Sequence, residues 1–267
     1  MKKIFNKTII GMIHVDALPG TPKSKDNVEA IIEKAKKEAE IYKKAGIDAV
    51  MLENMHDAPY LNKNVGPEIV STMTAVCIEV KKILSDIPCG IQILAAANKE
   101  ALAVAKVSEL DFIRAEAFVF AHVADEGIIE SCAGELLRYR RQINAENILV
   151  LADIKKKHSA HSITSDVDII ETAHAVEFFI GDGVIVTGIA TGCEANLEEV
   201  ESVKKGVKIP VLVGSGVTYE NVESYLKTAD ALIVGSYFKE EGCWENEVDY
   251  ARVKKFMDKV NIIRKKI

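Results

Sequence analysis

The chain has little of what holds small or secreted proteins together. Its five cysteines (Cys77, Cys89, Cys132, Cys193, Cys243) are odd in number and form no CxxC pair. Neither a disulfide framework nor a zinc ribbon is indicated, and reduced thiols in a cytoplasmic protein are expected. There is no Ser/Gly/Pro-rich linker and no low-complexity tract, so residues 1–267 are expected to form one domain. No stretch reaches the roughly 18 apolar residues of a membrane span, and no signal peptide follows Met1-Lys2-Lys3. Positive charge is also short, with 34 Lys and Arg against 40 Asp and Glu and a net charge of −6. That argues against nucleic acid as the main partner. Basic residues gather only at the ends: Lys2 and Lys3, then Lys254, Lys255, Arg264, Lys265 and Lys266. They suit a solvated face, with weak attraction to an acidic membrane surface as the alternative.

What the chain does have is many short apolar runs. Eight strand-like segments stand out, at about 8–14, 47–53, 89–94, 111–116, 147–153, 183–187, 210–214 and 231–235. Most are continuously apolar, as strands of a parallel sheet are when both faces are covered. Helical patterns separate them: Val28, Ile31, Ile32, Ala35, Ala39 and Tyr42 keep the spacing of one buried face. Asp26 with Glu29 reads as a capping box for that helix and Gly46 as its end. Asn196 with Glu199 reads as a second box, and Thr218 as a cap for the seventh helix. Eight strand–helix repeats predict a single (β/α)8 (TIM) barrel. One connection is long: AFVFAHVADEGII after the fourth strand suits a lid or a partner-binding flap.

In such a barrel the carboxyl ends of the strands meet in one basin. The seventh and eighth strands end in Gly214-Ser215-Gly216 and Gly235-Ser236. Backbone free of large side chains can approach an anion there, so these five residues are the predicted phosphate grip. The other ends supply His14 and Asp16, Glu53 and Asn54, Gln92, Arg114 and Glu116, Asp153 and Lys155, and Thr187. Glu53, Asp153, His158 and His14 are acid–base candidates. Asp153 and Lys155 are two apart, so on an extended strand both face the basin, and Lys155 would hold an enolate or form a Schiff base. Asn54, Arg114 and Thr187 are candidate substrate-binding residues. A divalent metal held by Asp153, His158 and Glu53, with His161 near, is an alternative without a recognised zinc spacing. No cofactor is indicated otherwise.

The segments GMIHVDALPGTP, AGIDAVMLENMHDAPY, ADEGIIESCAGELLRYRR, ILVLADIKKKHSAHSI and PVLVGSGVTYENV resemble the BtpA/SgcQ family, in order, over roughly residues 9–240. The resemblance implies a barrel of the ribulose-phosphate-binding type. One family name implies photosystem I biogenesis and the other the company of sugar-phosphate genes. The third strand end, Gln92 to Ala96, and the fourth, Ala115 to Phe118, depart from the family pattern, which puts substrate discrimination in doubt. The turn from Thr187 to Gly192 is glycine-rich. Three functions are carried forward: an isomerase, epimerase or aldolase acting on a small phosphorylated substrate; an assembly factor binding a protein partner; and a metal-dependent phosphate or nucleotide hydrolase. Self-association stays open.

Overall fold

The computed structural model describes residues 5–188, 190 and 192–267. Lys2 and Lys3 of the basic N-terminus, and Ile189 and Thr191 of the turn after the sixth predicted strand, lie outside the described residues. In chain order the strands are β1 (Thr8–His14), β2 (Ala49–Glu53), β3 (Cys89–Gln92), β4 (Phe112–Ala115), β5 (His122–Ala124), β6 (Gly127–Ile129), β7 (Leu149–Ile154), β8 (Ser159–Ala160), β9 (Gly183–Val186), β10 (Val211–Val213) and β11 (Ala231–Val234). The helices are α1 (Val28–Ala45), α2 (Pro67–Ile83), α3 (Asn98–Val107), α4 (Ala133–Gln142), α5 (Ile169–Phe178), α6 (Leu197–Gly206), α7 (Val222–Thr228) and α8 (Tyr250–Arg264). Eight strands close a parallel barrel in the order β1-β11-β10-β9-β7-β4-β3-β2. All eight predicted strands are present, within a few residues of their expected ends.

Alternation along each strand divides the core in two. Ile10, Met12, Ala49, Met51, Phe112, Leu149, Leu151, Ile185, Leu212, Ala231 and Ile233 point inward and fill the barrel. Their neighbours, such as Ile9, Ile13, Val50, Leu52, Val150 and Val213, pack outward against the helices. A side chain of this size stabilises by about 1.5–3 kcal/mol when fully buried. Gly90 makes the inner layer possible, because a Cβ there would stand 2.1 Å from the Phe112 ring.

The caps differ in part from expectation. Asn27, not Asp26, opens α1, its side chain accepting from the Ala30 N–H, while Gly46 ends the helix in the left-handed region at φ 80 as predicted. Asn196 caps α6 as expected. Thr218 does not cap α7: that helix begins one turn later, after Asn221. A full capping box, Asp168 with Glu171, opens α5.

The long connection after β4 is an ordered hairpin, β5 paired antiparallel with β6, and β8 from the loop after β7 adds to its other edge. Asn62 Nδ2 donates to Ile128 O at 2.9 Å and ties the hairpin to the loop after β2. Three strand-end loops are thereby joined at the mouth of the barrel. At the other end of the chain, Arg264 is not a solvated charge, since it pairs with Asp48 and fastens α8 to the barrel bottom. No helix among the described residues is long and apolar enough to cross a membrane.

Candidate functional site

The inward parity that fills the barrel carries on past its last apolar layer. His14, Glu53, Arg114, Asp153, Gly214 and Gly235 each lie two residues beyond an inward apolar residue of their own strand, so they point into the basin. Gln92 follows Gly90 in the same way. The result is a cavity of about 620 Å³ lined by all seven, together with Glu116, Lys156, Lys157, His158, Ser215, Gly216, Ser236, Trp244 and Arg252.

Most of its charges are committed to one another. Arg114 Nε lies 3.1 and 3.0 Å from the two oxygens of Asp153, and both side chains are almost fully buried. Lys156 pairs with Glu116 Oε1 at 2.9 Å, while Glu116 Oε2 accepts the Ala96 N–H. Two groups stand apart. The Glu53 carboxylate has the His14 ring nitrogen Nε2 at 3.9 Å and no Lys or Arg within ion-pair distance among the described residues. The Lys157 amine has no acceptor among the described residues. Burial pushes Glu53 above the usual carboxylate value, against the pull of Arg114 and Lys157. Burial, helped by Arg114 and opposed by Glu53 and Asp153, draws Lys157 below its usual value. The acid and the amine are thus brought toward one another's range.

His14 is not protonated near neutral pH, since burial and then Lys239 pull it down to about 3. Its Nδ1 bonds to Trp244 O at 3.0 Å, which as a donor leaves Nε2 an acceptor facing the basin. His158 lines the cavity and is lowered by burial and by Lys157 and Lys156.

At the ends of β10 and β11 the wall is backbone. None of the N–H groups of Gly216, Val217, Gly235 and Ser236 donates to a protein acceptor among the described residues. Arg252, at the start of α8, stands beside them, its Nε donating to Tyr237 O at 2.6 Å. Ser215 Oγ is committed elsewhere: it accepts from the Gly188 N–H at 2.7 Å and donates to Cys193 O at 3.0 Å. Gly216 has φ +67, and a Cβ there would strike Cys193 O at 2.3 Å, so its smallness serves the packing of two loops rather than the cavity.

Three expected residues do not line the cavity. Lys155 turns away: the strand ends at Ile154, Lys155 takes φ +46, and its amine donates to Thr164 O at 2.9 Å. The break of alternation delivers Lys156 and Lys157 to the basin in its place. Spacing alone pointed to Lys155; the KKK run was the sole hint that a neighbour could substitute. Asn54 has outward parity, donating to Asp57 Oδ2 at 2.7 Å and accepting the Leu94 N–H at 2.8 Å. Thr187 Oγ1 accepts the Lys157 N–H at 3.1 Å and so positions that lysine rather than a ligand. Donors for a metal do not converge. Arg114 occupies both Asp153 oxygens, His161 bonds to Lys156 O at 3.0 Å, and no group of three or more metal-ligating side chains forms among the described residues.

The geometry can be set beside known proteins. A Caenorhabditis elegans protein described as mitochondrial is 52% identical over 272 aligned residues, covering 99% of this chain and 98% of its own. The photosystem I biogenesis protein BtpA of Synechocystis is 34% identical over 251 residues, covering 94% and 86%. Among solved structures, a thiamine phosphate pyrophosphorylase of Pyrococcus furiosus superposes with TM-score 0.59 at 15% identity, covering 98% of this chain and 99% of its own. A geranylgeranylglyceryl phosphate synthase of Thermoplasma acidophilum gives 0.59 at 16%, covering 100% and 96%. At such identities these structures share the barrel fold with this chain. The sequence relatives span the barrel and its basin together, and the BtpA family model matches residues 5–262, so this protein belongs to the BtpA family.

Proposed function

We propose that this protein is an enzyme that transfers protons next to a carbonyl on a small phosphate ester, as an isomerase, epimerase or aldolase does. The observation that carries the reading is Glu53 and Lys157 together: an acid raised and an amine lowered, lining one cavity, with neither locked in a close ion pair among the described residues. Groups poised in this way suit proton exchange near neutral pH. The uncommitted N–H groups at Gly216, Val217, Gly235 and Ser236, with Arg252, suit a phosphate oxygen at the other part of the basin. Several solved barrels of the same shape are enzymes named for phosphorylated compounds, which agrees with that assignment.

In this scheme Glu53 removes the proton beside the carbonyl and Lys157 holds the developing enolate oxygen. Arg114, pinned by Asp153, supplies a fixed positive charge beneath. Lys157, rather than Lys155, is then the residue able to form a Schiff base in an aldolase branch. Solvent exchange tests the scheme. Dihydroxyacetone phosphate and ribulose 5-phosphate are incubated with the protein in D2O and followed by proton NMR. Deuterium entering the carbon beside the carbonyl, lost in Glu53→Gln and Lys157→Met, is expected. Exchange that persists in Glu53→Gln and Lys157→Met, or no exchange into a compound that saturates the cavity, removes the proton-transfer reading.

A second reading, a binding surface for a protein partner, is favoured by one feature. Phe178, Phe179 and Ile180 at the end of α5 are exposed, Phe178 by 82%. Loss of a partner on changing Phe178 and Ile180 to serine, with exchange intact, would support it.

A further inference from the structure

The cavity has a second end whose chemistry differs from the first. In the closed strand order, β3 lies four strands from β10 in either direction, so Gln92 stands across the barrel from Gly214 to Gly216. Gln92 is 2% exposed and lines the cavity, and its Oε1 is a buried acceptor without a partner among the described residues. Its amide nitrogen makes no bond to protein there either. Buried carboxamides in folded proteins are nearly always satisfied, because an unsatisfied one is destabilising. A carboxamide offers one donor edge beside one acceptor edge. The acceptor edge is the one left buried and unmatched, and a ligand with an N–H beside a C=O would meet both edges.

The walls around that end are apolar. Met55, Tyr60, Leu94 and Ala95 line it, and the Tyr60 hydroxyl is already given to Met55 O at 2.6 Å, so Tyr60 presents its ring. Away from Arg252, the cavity holds the acids Glu53, Glu116, Asp125, Glu126 and Asp153 against the bases Arg114, Lys156 and Lys157. That balance disfavours a second phosphate. The volume of about 620 Å³ sits mid-range among pockets that enclose drug-sized ligands, which typically measure about 300–1,000 Å³. A bare triose or pentose phosphate would leave the apolar end open.

We infer that the substrate's far end is a planar ring with adjacent ring C=O and N–H groups, read by the Gln92 carboxamide, so that the ligand is a phosphate ester of mononucleotide size. The phosphate end of this ligand rests on the reading given under Proposed function. Gln92 accepts the ring N–H and donates to the ring carbonyl, while the flat faces meet Tyr60 and the apolar wall. Asn and Gln side chains use the same paired bonds when they read a base edge in the DNA major groove.

Trp244 is the one tryptophan of the chain and lines this cavity, so its fluorescence reports binding directly. The probes are uridine and inosine 5′-monophosphates, their ring N-methylated counterparts, ribose 5-phosphate and free uridine. At least one of the two mononucleotides is expected to bind about tenfold tighter than ribose 5-phosphate, a difference of about 1.4 kcal/mol. N-methylation should remove that gain. Gln92→Leu should make methylated and unmethylated forms equal while raising the melting temperature of the free protein, since it removes an unsatisfied buried group. Gln92→Met serves as the second variant. If ribose 5-phosphate binds and neither mononucleotide gains over it, or if Gln92→Leu keeps the preference, the Gln92 assignment is wrong and the phosphate reading survives. If ribose 5-phosphate fails while free uridine binds in a Gln92-dependent way, the phosphate reading is wrong and Gln92 stands. Binding of none of these probes overturns both.

Discussion

Replacing Arg114 with methionine isolates the electrostatic centre of the basin. The guanidinium Nε sits 3.0–3.1 Å from both Asp153 oxygens, with side-chain exposures of 6% and 1%. Coulomb attraction at 3 Å is roughly 5 kcal/mol for an effective dielectric of about 20. Desolvation opposes it, so the pair itself stabilises by far less. Removing one partner is different, because it leaves Asp153 buried and uncompensated, a loss of about 3–5 kcal/mol. For a chain of this length that corresponds to a fall in Tm of about 6–20 °C. Arg114→Met with Asp153→Leu should recover most of it, since two apolar groups can replace a buried pair.

The pH dependence carries a sign. Arg114 holds down the pKa of Asp153, which burial otherwise raises. Without Arg114 the folded-state pKa rises further above the unfolded value. Stability from such a group is present below the unfolded pKa and lost as pH climbs through the folded one. Glu53 and Glu116 also face Arg114 and act in the same direction. The gap between wild type and Arg114→Met should therefore be smallest in acid and widen as pH rises toward neutrality. Urea unfolding at several pH values measures it. A loss under about 1 kcal/mol at neutral pH, or a gap that widens on acidification, would refute the reasoning.

Four further outcomes follow from the same geometry. Lys157→Met removes a half-buried cation that has no acceptor among the described residues, so melting should be unchanged or raised, while solvent exchange falls by about 10²–10⁴; retained exchange would remove Lys157 from the chemistry. Lys239→Met strips the buried Glu38 carboxylate of its partner at 2.8 and 3.0 Å, and chemical denaturation should show a loss of about 3–5 kcal/mol, with a loss below about 1 kcal/mol counting against the pair. Gly235→Ala adds a methyl with ordinary contacts, 3.5 Å from His14, so it should melt like wild type and bind ribose 5-phosphate about tenfold more weakly by calorimetry. Gly216→Ala instead meets Cys193 O at 2.3 Å and should lower the melting temperature first.

The barrel was legible in the chain because its signal is local. Apolar runs of five to seven residues separated by amphipathic helices have few parallel-sheet solutions, and eight of them close. The parity within a strand is local too: Met12 shares a face with His14, Met51 with Glu53 and Leu151 with Asp153. Where regular structure ends, that logic ends with it. Lys155 keeps the parity of Asp153 in sequence, but a positive φ after Ile154 hands the basin to Lys156 and Lys157. Asn54 looked like a basin residue because it adjoins Glu53, yet its parity turns it to Asp57 and Leu94.

The sequence by itself determined the strand count, the alternation of strands with helices and the glycine turns at the ends of β10 and β11. Tertiary structure alone decided which charges neutralise one another. Arg114 meets Asp153 from 39 residues away, and Lys156 meets Glu116 from 40. Among the described residues, those pairings leave Glu53, Lys157 and Gln92 uncommitted across a single cavity. Pairing between distant strand ends depends on barrel closure and on three-dimensional distance, and neither is written in the spacing of residues along the chain.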